Sequence, residues 1–288
     1  MSIGAASARE LSRQAAARLE RAGVPEPVAS AEVLLSELLG VGRADVAFYD
    51  GLLTDEQRTL YETWISRRME REPVQRILGY GYFRNLKLYL NEHALIPRPD
   101  TESVVDVALE CIDRRGGGGV VLDIGTGSGA IAIAIAQERP GCEVHATDLS
   151  EGALEIARHN ARLDGAEVRF HSADVAAGLD FLNKRVDLLV SNPPYIPSDA
   201  ANRLAPEVHR WDPHLALYSG PEELTLFRRI LAETPPLLFP GADVVLEIGD
   251  GQAKSVLALG EAYGFTPLGW RPDLAGSPRA VLLKWAGR

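Results

Sequence analysis

The four residues Asn192, Pro193, Pro194 and Tyr195 carry the clearest chemical signal in this 288-residue chain. They follow the segment Asp-Leu-Leu-Val-Ser at 187–191, whose apolar centre is typical of a buried strand. An amide or aromatic amine nitrogen is a weak nucleophile because its lone pair is delocalised, so a site that methylates it must bind both N–H groups. The Asn192 side-chain oxygen and the Pro193 carbonyl can accept them, the prolines stiffen the loop, and the Tyr195 ring can stack on a planar group. The pattern predicts methyl transfer to a planar nitrogen, catalysed mainly by orientation and desolvation.

A glycine-rich segment, Asp-Ile-Gly-Thr-Gly-Ser-Gly at 123–129, is the second chemical signal. It lies between a predicted strand and a predicted helix, where glycines allow a tight turn and a close approach of the backbone to a ligand. Backbone amides at the start of the helix can bind a carboxylate or a phosphate. The residues of this turn that we expect to bind the cofactor are Gly125, Thr126, Gly127, Ser128 and Gly129, and we expect Asn192 to contact the cofactor as well.

Acidic residues follow the next two predicted strands. Asp148 has the position from which a carboxylate binds a ribose hydroxyl pair, and Asp174, followed by Val175, can accept from an adenine amino group. However, Gly125, Gly127 and Ala130 also satisfy the dinucleotide pattern G-x-G-x-x-A. From this segment alone, a methyl donor, a nicotinamide cofactor and a purely structural turn all stay open.

The segments that must position these residues change their hydrophobic period along the chain. Residues 1–72 have helical spacing and predict a small helical domain, while alternating leucines within 73–99 predict a linking β-hairpin. Residues 100–288 alternate between strands and helices, which predicts an α/β domain with a mostly parallel, seven-stranded sheet. The predicted strands are 120–124, 144–147, 168–170, 186–190, 244–248, 265–268 and 281–284.

Composition narrows the choice of partners and compartment. The net charge is −10, which disfavours duplex DNA or RNA as the main partner because affinity for phosphates comes mainly from Lys and Arg. The chain has two cysteines, no secretory leader pattern and no apolar run of membrane-spanning length, so we expect a cytoplasmic protein without a membrane partner. We also expect no metal centre and a monomer.

Several motifs, in their order along the chain, resemble one known family. They are REPVQRILGYGYF at 71–83, LIPRPDTE at 95–102, VLDIGTGSGAIAIA at 121–134, NPPYIP at 192–197, EVHRWDPHLAL at 207–217, VVLEIG at 244–249 and DLAGSPR at 273–279. Over nearly its whole length the chain resembles the HemK-type release factor glutamine methyltransferases. The resemblance implies a class I S-adenosylmethionine methyltransferase, Rossmann-like, that methylates the glutamine of the Gly-Gly-Gln tip of peptide chain release factors.

The resemblance also implies roles for individual residues. The glycine turn would hold the methionine part of S-adenosylmethionine, and Asp148 would hold its ribose. Residues implied to bind the substrate glutamine or line its pocket are Phe83, Arg98, Pro99, Glu102, Asn192, Pro193 and Tyr195. Many members have an aromatic residue at the place of Val175, where it packs on adenine, so adenine packing here is expected to be weaker or to come from elsewhere.

Two other function classes stay open at this point. An adenine-amino DNA methyltransferase uses the same loop chemistry, but it needs a basic groove and a flipped base, which the acidic balance does not favour. A non-catalytic cofactor-binding protein is the other class. The intact Asn192 argues against it, because such a protein has no use for that amide.

Overall fold

The computed structural model describes residues 7–287. Its α-helices are α1 Ala8–Arg21, α2 Pro27–Leu39, α3 Asp55–Met69, α4 Val74–Leu78, α5 Pro99–Arg114, α6 Ala130–Glu138, α7 Glu151–Asp164, α8 Pro206–His209, α9 His214–Leu217, α10 Thr225–Glu233 and α11 Ala253–Ala262. Its strands are β1 Tyr80–Phe83, β2 Leu86–Tyr89, β3 Gly119–Ile124, β4 Cys142–Asp148, β5 Val168–Ser172, β6 Val186–Ser191, β7 Ile196–Pro197, β8 Tyr218–Gly220, β9 Leu238–Glu247, β10 Phe265–Pro272 and β11 Pro278–Trp285. None of the helices in the described part combines the length and apolarity that a bilayer crossing needs.

The first compact unit contains the described chain up to Gly79 together with Ala205–Trp211. Helices α1 and α3 begin at side-chain caps: the Ser7 hydroxyl accepts from the Glu10 amide, and Thr54 forms a full capping box with Gln57. Its core contains the buried side chains of Leu19, Leu34, Leu35, Tyr61 and Ile65. These contacts make α1 to α3 a small helical bundle.

The extent of this unit differs from the expected 1–72 in two ways. Residues 74–78, which we placed in the linker, form α4, and the buried Ile77 joins the helical core. The later segment 205–211 also belongs here, because Glu207 accepts from Arg71 at 2.6 Å and from Arg68 at 3.1 Å. A pattern of apolar residues cannot reveal such an association across more than a hundred residues, since ion pairs leave no periodic signal.

The second unit contains Tyr80–Leu204 and the chain from Asp212 onward. Its sheet has seven strands in the order β10-β11-β9-β6-β3-β4-β5, and β11 runs antiparallel to both of its neighbours. The expected mostly parallel α/β sheet is therefore confirmed. The expected hairpin is also present: β1 and β2 pair antiparallel through a turn at Arg84 and Asn85.

Successive residues of β6 point to opposite faces of the sheet and so build two separate cores. Leu188 and Val190 join the cluster that contains the apolar faces of α5 and α6, whereas Leu189 joins the cluster formed with α10 and α11. A strand buried on both faces reads as an apolar run without alternation, as residues 188–190 do. The sheet thereby brings the carboxyl ends of β3, β4 and β6 to one edge, where ligands bind in folds of this kind.

Candidate active site

A pocket lies at the carboxyl ends of β3, β4 and β6, entirely within the second unit. It combines an apolar wall with polar groups from both chemical signals of the sequence. Its lining includes Arg98, Thr101, Gly125, Thr126, Gly127, Ser128, Asp148, Leu149, Asp174, Val175, Asn192, Pro194, Leu226 and Arg229. The fold therefore brings the glycine turn, the acidic strand ends and Asn192 around one cavity.

The glycine turn is connected to β4 by hydrogen bonds. The amides of Gly125 and Thr126 both donate to the Thr147 carbonyl at 2.9 Å, and the Gly127 amide donates to Asp148 Oδ2 at 2.9 Å. Gly127 has a φ of +57°. This left-handed conformation disfavours larger side chains, so the motif needs glycine here for its backbone.

Asp148 has a structural contact at each carboxylate oxygen. Besides the Gly127 amide on Oδ2, the Ser150 amide donates to Oδ1 at 2.9 Å, and burial raises the pKa of the carboxyl. A carboxylate offers about four lone-pair directions, so each oxygen still has capacity for a further donor. Asp148 can thus hold the turn and bind a hydroxyl pair together.

Asp123 is a completely buried carboxyl that was not among the predicted site residues. The Thr126 hydroxyl donates to its Oδ2 at 2.7 Å, and its Oδ1 has no partner within the described residues. Burial is the main cause that raises its pKa to about 7, and the charge of Asp148 adds to the increase. The pattern gave one available signal, an acidic residue at the end of an apolar strand.

We expect Asp123 to make stability depend on pH. Because its folded pKa lies above the ordinary value of 3.8, the fold favours the protonated form, and stability is lost as the pH rises through 4 to about 7. The wild type should have a lower unfolding free energy at pH 8 than at pH 5. In Asp123→Asn, this difference between the two pH values should be smaller by on the order of 2–3 kcal/mol. Urea denaturation at the two pH values measures it, with Asp180→Asn, an exposed aspartate, as the control. An unchanged decrease in Asp123→Asn would contradict the assignment.

Asn192 lies where β6 ends and belongs to a buried polar cluster. Its Nδ2 donates to Thr101 Oγ1 at 3.3 Å, and both side chains lie beside the Glu247 carboxyl, whose Oε2 has no hydrogen-bond partner among the described residues. Glu247 is 2% exposed, and burial raises its pKa to about 7 against the opposing effect of the polar Thr101 and Asn192 side chains. Thr101 and Glu247 were not among the predicted site residues, although an acidic residue at the end of an apolar strand is a usable signal.

The rest of the proline loop divides between pocket and core. Pro194 lines the pocket, whereas Pro193 is buried. The ring of Tyr195 packs against the apolar cluster of α10 and α11, and burial raises the pKa of its hydroxyl to about 12. The Tyr195 carbonyl accepts from Gln252 Nε2 at 3.2 Å, so the loop is held at both its side chain and its backbone.

The four residues implied upstream of the glycine turn lie in different surroundings. Arg98 lines the pocket and donates to Asp212 Oδ2 at 2.5 Å. Pro99 begins α5, while Glu102 accepts from the Arg84 amide at 2.9 Å. Phe83 is 1% exposed and packs in the core cluster of α5 and α6, away from the expected role in a pocket wall. The sequence alone does not show whether an aromatic side chain in such a strand faces the protein core or the pocket.

Asp174 and Val175 lie together in the pocket wall. Asp174 accepts from Arg229 Nη1 at 2.9 Å, and Arg229 also pairs with Glu233, so the α10 arginine is a pocket residue that the sequence did not predict. Val175 is buried, with a φ of +55°. Such a backbone is unusual for a β-branched residue and occurs where surrounding structure imposes it, often at ligand sites.

Comparisons with known proteins match both domains and the fold of this chain. Residues 10–79 match the family model described as PrmC N-terminal domain, and residues 101–207 match the one described as methyltransferase small domain. A methyltransferase structure from Pyrococcus furiosus has a TM-score of 0.51 at 20% identity, covering 70% of this chain and 90% of that one, which supports the fold.

Curated relatives cover almost the whole chain. A release factor glutamine methyltransferase of Deinococcus radiodurans is 39% identical over 285 residues, 97% of this chain and 99% of its own length. That of Rhodospirillum rubrum is 41% identical, covering 93% of this chain and 82% of its own, and that of Streptomyces coelicolor is 41% identical, covering 92% and 94%. With its two matched domains, its α/β sheet and a pocket that joins the glycine turn to Asn192, the chain belongs to the release factor glutamine methyltransferase family and is an S-adenosylmethionine-dependent methyltransferase.

Proposed function

We propose that this enzyme methylates the side-chain amide nitrogen of the glutamine in the Gly-Gly-Gln motif of peptide chain release factors. The observation that carries the proposal is the position of Asn192, which lines the same pocket as the glycine turn and Asp148. The names of the curated relatives support release factors as the substrate. The specific glutamine and its Gly-Gly-Gln context come from the family resemblance and are the part to be tested.

The pocket residues fit S-adenosylmethionine. Asp148 can bind the ribose hydroxyls, since its carboxylate retains acceptor capacity beside the Gly127 and Ser150 amides. Asp174 can accept from the adenine amino group. Val175, with the side chains of Leu149 and Leu226 in the same lining, offers the apolar surface that an aromatic residue gives in many members. When bound, the cofactor supplies an electrophilic methyl group.

The chain's own residues orient and desolvate the accepting nitrogen. Asn192 Oδ1 and the Pro193 carbonyl each accept one N–H of the glutamine amide, which directs the lone pair toward the methyl donor. Because Pro193 has no N–H and the loop is held by Tyr195 and Gln252, these acceptors are already ordered before the substrate binds. Arg98 and Pro194 complete the pocket wall. We assign Tyr195 to supporting the loop in addition to contacting the substrate.

A methyl-transfer assay with labelled cofactor tests the proposed reaction. We expect label in an intact release factor and none in the same factor with its Gly-Gly-Gln glutamine replaced by alanine. Unmethylated duplex DNA serves as the second acceptor and should stay unlabelled, given the net charge of −10. Label in the alanine-substituted factor would refute the assignment of this glutamine as the acceptor, and label in DNA would refute the exclusion of duplex DNA as a substrate.

We propose that the helical domain recognises the release factor. Its exposed apolar side chains include Phe48, 85% exposed, and Leu52, 66% exposed, which lie close together in the chain. Exposed aromatic and aliphatic groups of this kind are frequent anchors of protein interfaces. Substitution of these two residues therefore tests the proposal.

Replacing both residues, Phe48→Ser with Leu52→Ser, should lower kcat/KM for the release factor by about tenfold or more, the effect of about 1.4 kcal/mol. Binding of S-adenosylmethionine, measured by calorimetry, should not change. Leu163→Ser, at a leucine of α7 that is 57% exposed, is the matched control. If the double variant had the same kcat/KM for the release factor as the control, Phe48 and Leu52 would have no part in recognition.

A further inference from the structure

Glu247 lies beside Asn192 because of the strand register. In the parallel pairing of β6 with β9, Ser191 is opposite Leu246, so Asn192, the first residue after β6, lies beside Glu247, the last residue of β9. Thr101, in the first turn of α5, contacts both. Glu247 and Thr101 are 2% and 4% exposed, so this carboxyl faces protein groups and not bulk water.

The two ends of the Asn192 side chain are chemically different, and only one suits the substrate. Oδ1 accepts hydrogen bonds, whereas Nδ2 donates them, and a substrate N–H needs the acceptor. An ionised carboxylate can only accept, so beside one the amide must turn its Nδ2 inward. Thr101 Oγ1 also accepts a hydrogen bond from Asn192 Nδ2, at 3.3 Å.

We propose that Glu247 is a positioning residue, whose buried carboxylate binds the Asn192 Nδ2 and thereby presents Oδ1 to the amide that is methylated. This inference rests on the function proposed above for the role of Oδ1, but the orientation itself is a property of the free enzyme. Asn192 is in the pocket lining and Glu247 lies behind it, so Glu247 acts through Asn192.

The charge on Glu247 also makes the orientation depend on pH. The groups that act on it are Thr101 and Asp100 of α5, Asn192 of the proline loop, Arg279 of β11 and the neighbouring Tyr195. Arg279 favours the ionised form, but it is shared with Asp273 at 3.1 Å, and burial dominates to give a pKa of about 7. Below that pH the protonated carboxyl can donate to Oδ1, which permits the amide to flip.

The first test uses the enzyme without substrate. The Asn192 side-chain amide resonances, in protein labelled with 15N at asparagine and assigned through their loss in Asn192→Ala, should shift with pH around 7 in the wild type. In Glu247→Gln, which keeps the shape and removes the charge, they should not titrate. The exposed Glu110→Gln is the control and should behave as the wild type. Identical titration in Glu247→Gln would overturn the proposal, whatever the substrate.

The second test uses the reaction. At saturating cofactor, Glu247→Gln should lower the single-turnover rate of release factor methylation by on the order of tenfold to a hundredfold and remove the decline in rate below pH 7. Glu247→Asp should recover part of the rate. In the Asn192→Ala background, Glu247→Gln should change the rate less than about twofold, because a residue that acts only through Asn192 has nothing left to position.

The two proposals fail in different ways. A large additional loss in the double variant, or an unchanged rate and pH profile in Glu247→Gln, would overturn the positioning role. If the wild type transferred no methyl group to a release factor while the amide resonances titrated only with Glu247 present, the positioning role would stand and the proposed substrate would be wrong.

Discussion

Asn192→Ala should lower the single-turnover rate of methyl transfer by on the order of a hundredfold or more, the scale for losing one preorganised polar group. The variant removes the acceptor that orients the amide lone pair, and it also leaves Thr101 and Glu247 without the side chain that they bind. Asn192→Asp should be similarly slow: it keeps an acceptor, but its negative charge stabilises the cationic methyl donor more than the transition state, where that charge is being lost.

The measurement separates chemistry from binding. Rapid mixing at saturating S-adenosylmethionine isolates the transfer step, while calorimetry allows for some loss of cofactor affinity, since Asn192 lies in the cofactor pocket. Asn183→Ala, at an exposed asparagine in a turn, is the matched control and should transfer at the wild-type rate. A near wild-type rate in Asn192→Ala under these conditions would refute the role proposed for the loop.

Asp148→Ala should weaken S-adenosylmethionine binding by about 1–3 kcal/mol, or roughly fivefold to 150-fold in Kd, the scale of hydrogen bonds to a charged group. The expected loss has two sources. The ribose hydroxyls lose their acceptor, and the Gly127 amide loses the carboxylate that holds the turn in place.

Comparison of two substitutions separates these sources. Asp148→Asn retains one oxygen for the Gly127 amide and should lose less affinity than Asp148→Ala, because the turn stays ordered. Titration of both variants with S-adenosylmethionine and with NAD gives the result. If the wild-type protein bound NAD tightly and did not bind S-adenosylmethionine, the cofactor assignment would be wrong. Unchanged affinity for S-adenosylmethionine in Asp148→Ala would exclude this carboxylate from the ribose site.

Most residues of the candidate site could be proposed from sequence because their signals are local. The positions of Gly125 to Gly129 between a strand and a helix, and of Asp148 and Asn192 directly after strands, follow from hydrophobic period and turn chemistry. In a parallel sheet the ends of neighbouring strands meet at one edge, so residues far apart in the chain were expected together. The pocket lining contains Asp148 and Asn192 as this argument requires.

Other residues could not be predicted, because their roles depend on which side chains meet across the fold. Arg229 reaches Asp174 from α10, and Phe83 is in the core and not in the pocket wall. Strand order and register determine these side-chain contacts, and neither can be derived from the local sequence pattern. Glu207 likewise joins the helical unit through arginines that lie over a hundred residues earlier.

The amino-acid sequence by itself determined the α/β class, the helical N-terminal domain, the glycine turn and the Asn-Pro-Pro-Tyr loop, since period, capping and turn residues act over a few positions. Only the tertiary structure decided that Glu247 lies behind Asn192, because that contact exists through the register of β6 and β9. Burial then raises the pKa of Glu247 and of Asp123 to about 7, since removing a carboxylate from water disfavours its charge. Solvent exclusion is a property of the assembled core, so the electrostatics of this site follow from packing and not from the order of residues.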